Sequence, residues 1–180
     1  MIIVLVILVI LAVFGVLVFN NITSLENRVA NALSQIDVQL KKRGDLVPNL
    51  VNTVKGYAAH ESGVFEAVTK ARSMLQTANT VEEKATASNA LSGALRTVFA
   101  VAENYPQLKA DTSFLNLQSE LSDLEGKIAY SRQFYNDTVL SFNNSITTIP
   151  GVFVAGPMNK TKKSMFEASE GDRVVPEVTF

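Results

Sequence analysis

Residues 2–19, "IIVLVILVILAVFGVLVF", carry no polar side chain. Beyond Phe19 the apolar residues withdraw to one side. Ile22, Leu25, Val29, Leu33, Ile36 and Leu40 recur at three or four positions, which is the spacing of one helix face. Nothing between Phe19 and Ile22 breaks a helix, so the apolar run is expected to continue directly into the one-faced segment. A second face follows in Val47, Leu50, Val51, Val54, Tyr57, Val64, Phe65, Val68 and Leu75, and a third in Leu91, Leu95, Val98, Phe99 and Ala102. The longest seam is Phe114, Leu117, Leu121, Leu124 and Ile128, then Tyr135, Val139, Phe142 and Ile146, with Ser131 and Thr138 at polar seam positions.

The joints between these faces have their own signals. Gly44 tolerates a helix-ending conformation and Asp45 is a good N-cap, so "LKKRGDLVPNLVNTVKGYAAHE" (40–61) reads as a stop and restart. Pro48 then falls in a first turn, where its missing N–H costs little. On that reading Lys41, Lys42 and Arg43 occupy the last turn of the preceding helix, where the dipole favours cations. Thr80 with Glu83 forms a capping-box pattern. Pro106 disfavours helix at Tyr105, Asp111 and Thr112 suit the start of the seam helix, and Pro150-Gly151 suit its end. Residues 150–180 read as an irregular tail, with the alternating "RVVPEVTF" extended at its end.

A helix over residues 2–19 rises roughly 27 Å, close to the thickness of a hydrocarbon core. The rivals are a buried core helix and a cleaved signal peptide. The latter normally pairs a shorter apolar region with a basic leader, and here only Met1 precedes the run. The run is therefore read as an uncleaved anchor. Arg28 is offset by Glu26, and Lys41-Lys42-Arg43 lies at the limit of the positive-inside rule, so charge does not select a side of the membrane.

These patterns predict an all-α chain: a transmembrane anchor over 1–20, an antiparallel four-helix bundle over 21–149 and an irregular C-terminal tail over 150–180. Composition narrows the chemistry. Sixteen basic and seventeen acidic side chains give a net charge of −1, which argues against a nucleic-acid binder. The absence of cysteine excludes disulfides, thiolate metal sites and thiol nucleophiles.

Several stretches together resemble the LemA family of bacterial membrane-anchored proteins. They are "SQIDVQLKKRGDLVPNLVNTVKGYAAHE" (34–61), "ENYPQLKADTSFLNLQSELSDLEGKIAYSRQFYND" (103–137) and the ending "MFEASEGDRVVPEVTF". The departures are Asn20-Asn21 in place of the usual Tyr-Asn, Leu33 in place of a common Trp, and "SFNNSI" where a Tyr-Asn is usual. The resemblance implies a single N-terminal transmembrane helix, an antiparallel helical bundle and no known enzymatic activity.

Candidate chemistry is sparse. His60-Glu61 lacks the second histidine of a metalloprotease helix, because His60 is the only histidine in the chain. It reads as a surface or intrahelical pair. Glu82-Glu83 belongs to a helix start. The serines have no base and orienter beyond that one imidazole, and no glycine-rich phosphate cradle is present. No catalytic residue, metal or cofactor is expected.

Lys160, Lys162 and Lys163 are candidate lipid-surface contacts, because the seam helix of an up-and-down bundle would return beside the anchor. Each such cation contributes about 1 kcal/mol against anionic lipid. Val178 and Phe180 are candidate tail-mediated contacts, having the apolar-x-apolar-carboxylate form that strand-adding grooves capture.

The expected function is a membrane-anchored, non-enzymatic scaffold of the bacterial envelope that self-associates. Its expected partners are the lipid bilayer, further copies of itself and other envelope proteins, including a protease, but no nucleic acid. The alternative is an adaptor of a membrane protease or stress-response system. A pilin-like filament subunit shares the architecture of an apolar helix leading into an amphipathic one, but residue 5 is Leu where mature pilins usually carry Glu.

Overall fold

The computed structural model describes residues 1–167, and every regular element in them is helical. Helix α1 runs unbroken from Ile2 to Lys55, α2 spans Ser62–Thr77 and α3 spans Val81–Ala102. The single turn α4 covers Pro106–Lys109, the long helix α5 covers Thr112–Thr147 and the short α6 covers Gly151–Ala155. The segment read from sequence as an irregular tail therefore opens with one helical turn.

Most joints follow the local chemistry. The capping box forms at α3: the Glu83 backbone N–H donates to Thr80 Oγ1 at 3.1 Å, and Glu83 Oε2 accepts from the Thr80 backbone N–H at 3.1 Å. Pro106 is the first residue of α4, where its missing N–H has no helical partner to lose. Asp111 caps α5 by accepting the Phe114 backbone N–H at 2.9 Å.

One joint is elsewhere. The chain does not stop at Gly44-Asp45, and Pro48 lies inside α1 rather than in a first turn. A proline there cannot donate to the carbonyl four residues back, which belongs to Gly44. That carbonyl accepts instead from Arg72 Nε, on α2, at 2.8 Å. With the vacant acceptor satisfied, the helix continues to Lys55. The true break covers Gly56–Glu61, where turns replace the helical ladder: Tyr57 N–H donates to Val54 O and Glu61 N–H to Ala58 O. Arg43 consequently is not at a helix end. It is buried in mid-helix.

The chain divides into two compact units. The first comprises Met1–Gln35 and Ser131–Met165, taking in α6, the early part of α1 and the later part of α5. Its buried side chains include Ile22, Val29 and Ala32 from α1, and Tyr135, Val139, Phe142 and Ile146 from α5. The second comprises Ile36–Tyr130, which Phe166 joins. Its core gathers Val47, Leu50 and Val54 with Phe65 and Val68 of α2, Leu91, Leu95 and Val98 of α3, and Leu108, Phe114 and Leu121. Phe99 and Phe114 meet edge to face with centroids 6.1 Å apart. Each fully buried side chain of this size contributes about 1.5–3 kcal/mol, so the periodic faces read from sequence supply the main stabilisation of both units.

Candidate functional site

The most distinctive surface is in the first unit. Every large hydrophobic side chain from Met1 to Leu17, and Phe19 as well, is roughly half exposed or more. A monomeric soluble protein does not leave a continuous apolar surface of this size in water. Among the described residues, α1 is the one helix long and apolar enough to cross a membrane. Ile22 is fully buried three residues beyond Phe19, so the change from all-round apolar to one-faced takes less than one turn.

Just past that transition is a charged clamp. Glu26, on α1, is in ion pairs with Lys160 and Lys163 of the segment after α6. Lys160 Nζ donates to Glu26 Oε2, and Lys163 Nζ lies 3.3 Å from Oε1. The hydrogen bond from Lys160, followed by the pairing with Lys163, outweighs desolvation and holds the Glu26 carboxyl below its ordinary range. The Lys163 backbone is fixed as well. Its N–H donates to Asn143 Oδ1 at 2.8 Å, and its carbonyl accepts from Asn143 Nδ2 at 2.9 Å. Its ammonium stands 5.9 Å from the centre of the Phe142 ring. The buried Tyr135 hydroxyl donates to the Ser164 carbonyl at 2.9 Å. Residues 160–164 therefore form a strap tied to α5 by side-chain-to-backbone bonds and to α1 by charge.

Between α5 and the strap lies α6. It approaches the end of α5 so closely that a Cβ at Gly151 would overlap the Ser145 carbonyl. The same Cβ would lie 3.7 Å from Ile22 Cδ1. Glycine is therefore required by space at this position. Gly151 and Ala155 face inward, while Ile149, Val152 and Phe153 point out, Phe153 being 72% exposed.

In the second unit the notable polar group is around Arg43. Its Nη1 is 2.7 Å from Glu125 Oε2, and its Nη2 donates to Ser92 Oγ at 2.9 Å. Arg43 is 3% exposed and Glu125 44%. Lys84 pairs with Asp37 at 2.7 Å. Two tyrosine–carboxylate bonds stand beside the α1–α2 turn: Tyr57 donates to Asp111 at 2.9 Å and Tyr105 to Glu61 at 3.0 Å. Each phenol is raised, chiefly because its hydrogen bond to the carboxylate holds the proton in place. Asp111 is lowered, first by the Phe114 backbone N–H and then by Tyr57. None of these pairings sets a nucleophile beside a base and its orienter.

The histidine of interest, His60, is exposed in the turn, and Glu61 is engaged by Tyr105. Among the described residues no group of three or more His, Asp or Glu side chains is placed to hold a metal ion. Of the three lysines considered for lipid, Lys160 and Lys163 are brought together on Glu26, whereas Lys162 is exposed. Val178 and Phe180 lie outside the described residues. Glu26 was missed from sequence. The only local signal was its position as the first acid after the apolar run.

Comparison with known proteins identifies a family. The profile of the LemA family matches residues 32–180. Protein LemA of Metamycoplasma hominis is 29% identical over 159 residues, covering 86% of this chain and 71% of the relative. Magnetosome protein MamQ of Magnetospirillum gryphiswaldense is 24% identical over 148 residues, covering 68% of this chain and 54% of that protein.

Proposed function

The chain belongs to the LemA family, and from this premise we propose that it is a membrane-anchored, non-enzymatic scaffold of the bacterial envelope that associates with further copies of itself. The observation that carries the reading is the exposed apolar stretch of residues 2–19, continuous with the amphipathic remainder of α1. At the bilayer centre each Ile, Leu, Val or Phe favours insertion by about 0.3–0.6 kcal/mol, and nearly every residue of the run is one of these. The buried seam of α5 and the one-faced α1, α2 and α3 suit the antiparallel four-helix bundle implied by the resemblance. The polar groups serve packing and capping, which supports a binding rather than a catalytic role. The relative MamQ is a magnetosome protein.

Sizing of the full chain extracted in detergent, by light scattering, tests the scaffold. Defined oligomers are expected at micromolar protein, and a strict monomer overturns self-association. Recovery of a membrane protease after crosslinking, with no self-crosslink, would favour the adaptor reading instead.

A further inference from the structure

We propose that Ile149, Val152 and Phe153 form a second apolar contact with the bilayer, a shallow wedge in the interfacial layer beside the anchor. The inference rests on the reading of residues 2–19 as a membrane span. Depth is set by Ile22. It follows Phe19 by three residues, about 4.5 Å along a helix axis. The layer between hydrocarbon and bulk water is roughly 5–8 Å thick on each side. Because α6 approaches α1 at Ile22, it stands at the level of that layer when the anchor spans.

The composition of the segment fits such a place. No charged residue occurs between Asp137 and Lys160. The three outward side chains at 149, 152 and 153 are all apolar, with exposures of 77%, 42% and 72%. Gly151 and Ala155 let the turn close down on its own unit, so the apolar residues are presented outward as a consequence of packing. Glu26, the nearest acid after the run, is neutralised by Lys160 and Lys163, which removes a charge that would repel anionic headgroups. Lys162 is exposed on the following strap. An apolar tip followed by a cation is the pattern of a group seated at a lipid–water boundary.

The chain contains no tryptophan, so Phe153→Trp introduces a single fluorescent reporter at an exposed site. The full-length variant is reconstituted in bilayers whose lipids carry bromine either high on the acyl chain or near its end. Phe14→Trp, inside the apolar run, reports the anchor in parallel. Strong quenching of Phe153→Trp by the shallow bromines, together with quenching of Phe14→Trp by the deep ones, is expected. Quenching at position 14 with none at 153 overturns the wedge and leaves the anchor standing. No quenching at either position removes both. A blue-shifted but unquenched reporter at 153 also overturns the wedge, because a protein neighbour would then cover it.

Discussion

Arg72 donates its Nε proton to the carbonyl of Gly44, the one helical acceptor in α1 that Pro48 leaves vacant. The two residues belong to different helices and are 28 positions apart. The bond explains how a proline is accommodated within a 54-residue helix. Arg72→Ala should cost about 1–3 kcal/mol, the usual consequence of leaving a buried acceptor unmade. In a Pro48→Ala background the backbone N–H returns and the same substitution should cost clearly less. A double-mutant cycle on thermal or denaturant unfolding measures the coupling, and additive costs would show that Arg72 acts independently of the proline.

The Arg43 group should respond asymmetrically. Arg43 is buried and Glu125 is partly in water. Glu125→Ala takes from a buried guanidinium the carboxylate 2.7 Å away, whereas Arg43→Met leaves a carboxylate that solvent can still reach. The first is expected to destabilise more, with a difference of about 1 kcal/mol or greater. Unfolding midpoints of the two variants decide it.

The strap should loosen in acid. Glu26 has a folded-state pKa below its ordinary one, so its contribution is fully present above the ordinary glutamate range. It is lost as pH falls through the lower folded value. The Lys163 amide, bonded to Asn143, should lose protection against hydrogen exchange over that acidic window, measured relative to the intrinsic rate at each pH. Glu26→Gln should show lower protection at neutral pH and lose most of the pH dependence of that protection. Unchanged protection in the variant would separate the strap from the ion pairs.

Gly151→Ala places a methyl group against the Ser145 carbonyl. The backbone must move, with an expected loss of about 1–3 kcal/mol, read as a lower unfolding midpoint. The conservative Ala155→Gly, which adds no atoms, should cost about 1 kcal/mol at most.

A charge in the apolar run should oppose insertion. Leu8→Arg is expected to cost about 2.5–3.5 kcal/mol near the bilayer centre. The readout is the fraction of full-length chain that resists alkaline extraction from membranes, and wild-type retention would argue against a span.

Much of this architecture was legible because its determinants are local. Thr80 and Glu83 are three residues apart, Asp111 caps a helix that begins next to it, and Pro106 constrains its own neighbour. The α5 seam repeats often enough that its period identifies both the helix and its inward side, including buried Ser131 and Thr138. The misread joint has a different cause. Gly44, Asp45 and Pro48 satisfy every nearby criterion for a helix restart, and what keeps the helix whole is a guanidinium supplied by α2. The clamp was hidden for the same reason: Glu26 and Lys160 are 134 positions apart. Local signals mark where a chain is able to stop, while distant side chains decide whether it does.

The uninterrupted α1 also has a mechanical consequence. Between Gly15 and Gly44 there is neither glycine nor proline, and each residue fixes the next at about 100° around the axis. The azimuth of any one side of the apolar run and the azimuth of Ile22 and Glu26 are therefore a single quantity. A neighbour that gripped one side of the apolar run would apply a torque to the whole segment, and would thereby choose which way the face of Ile22 and Glu26 points.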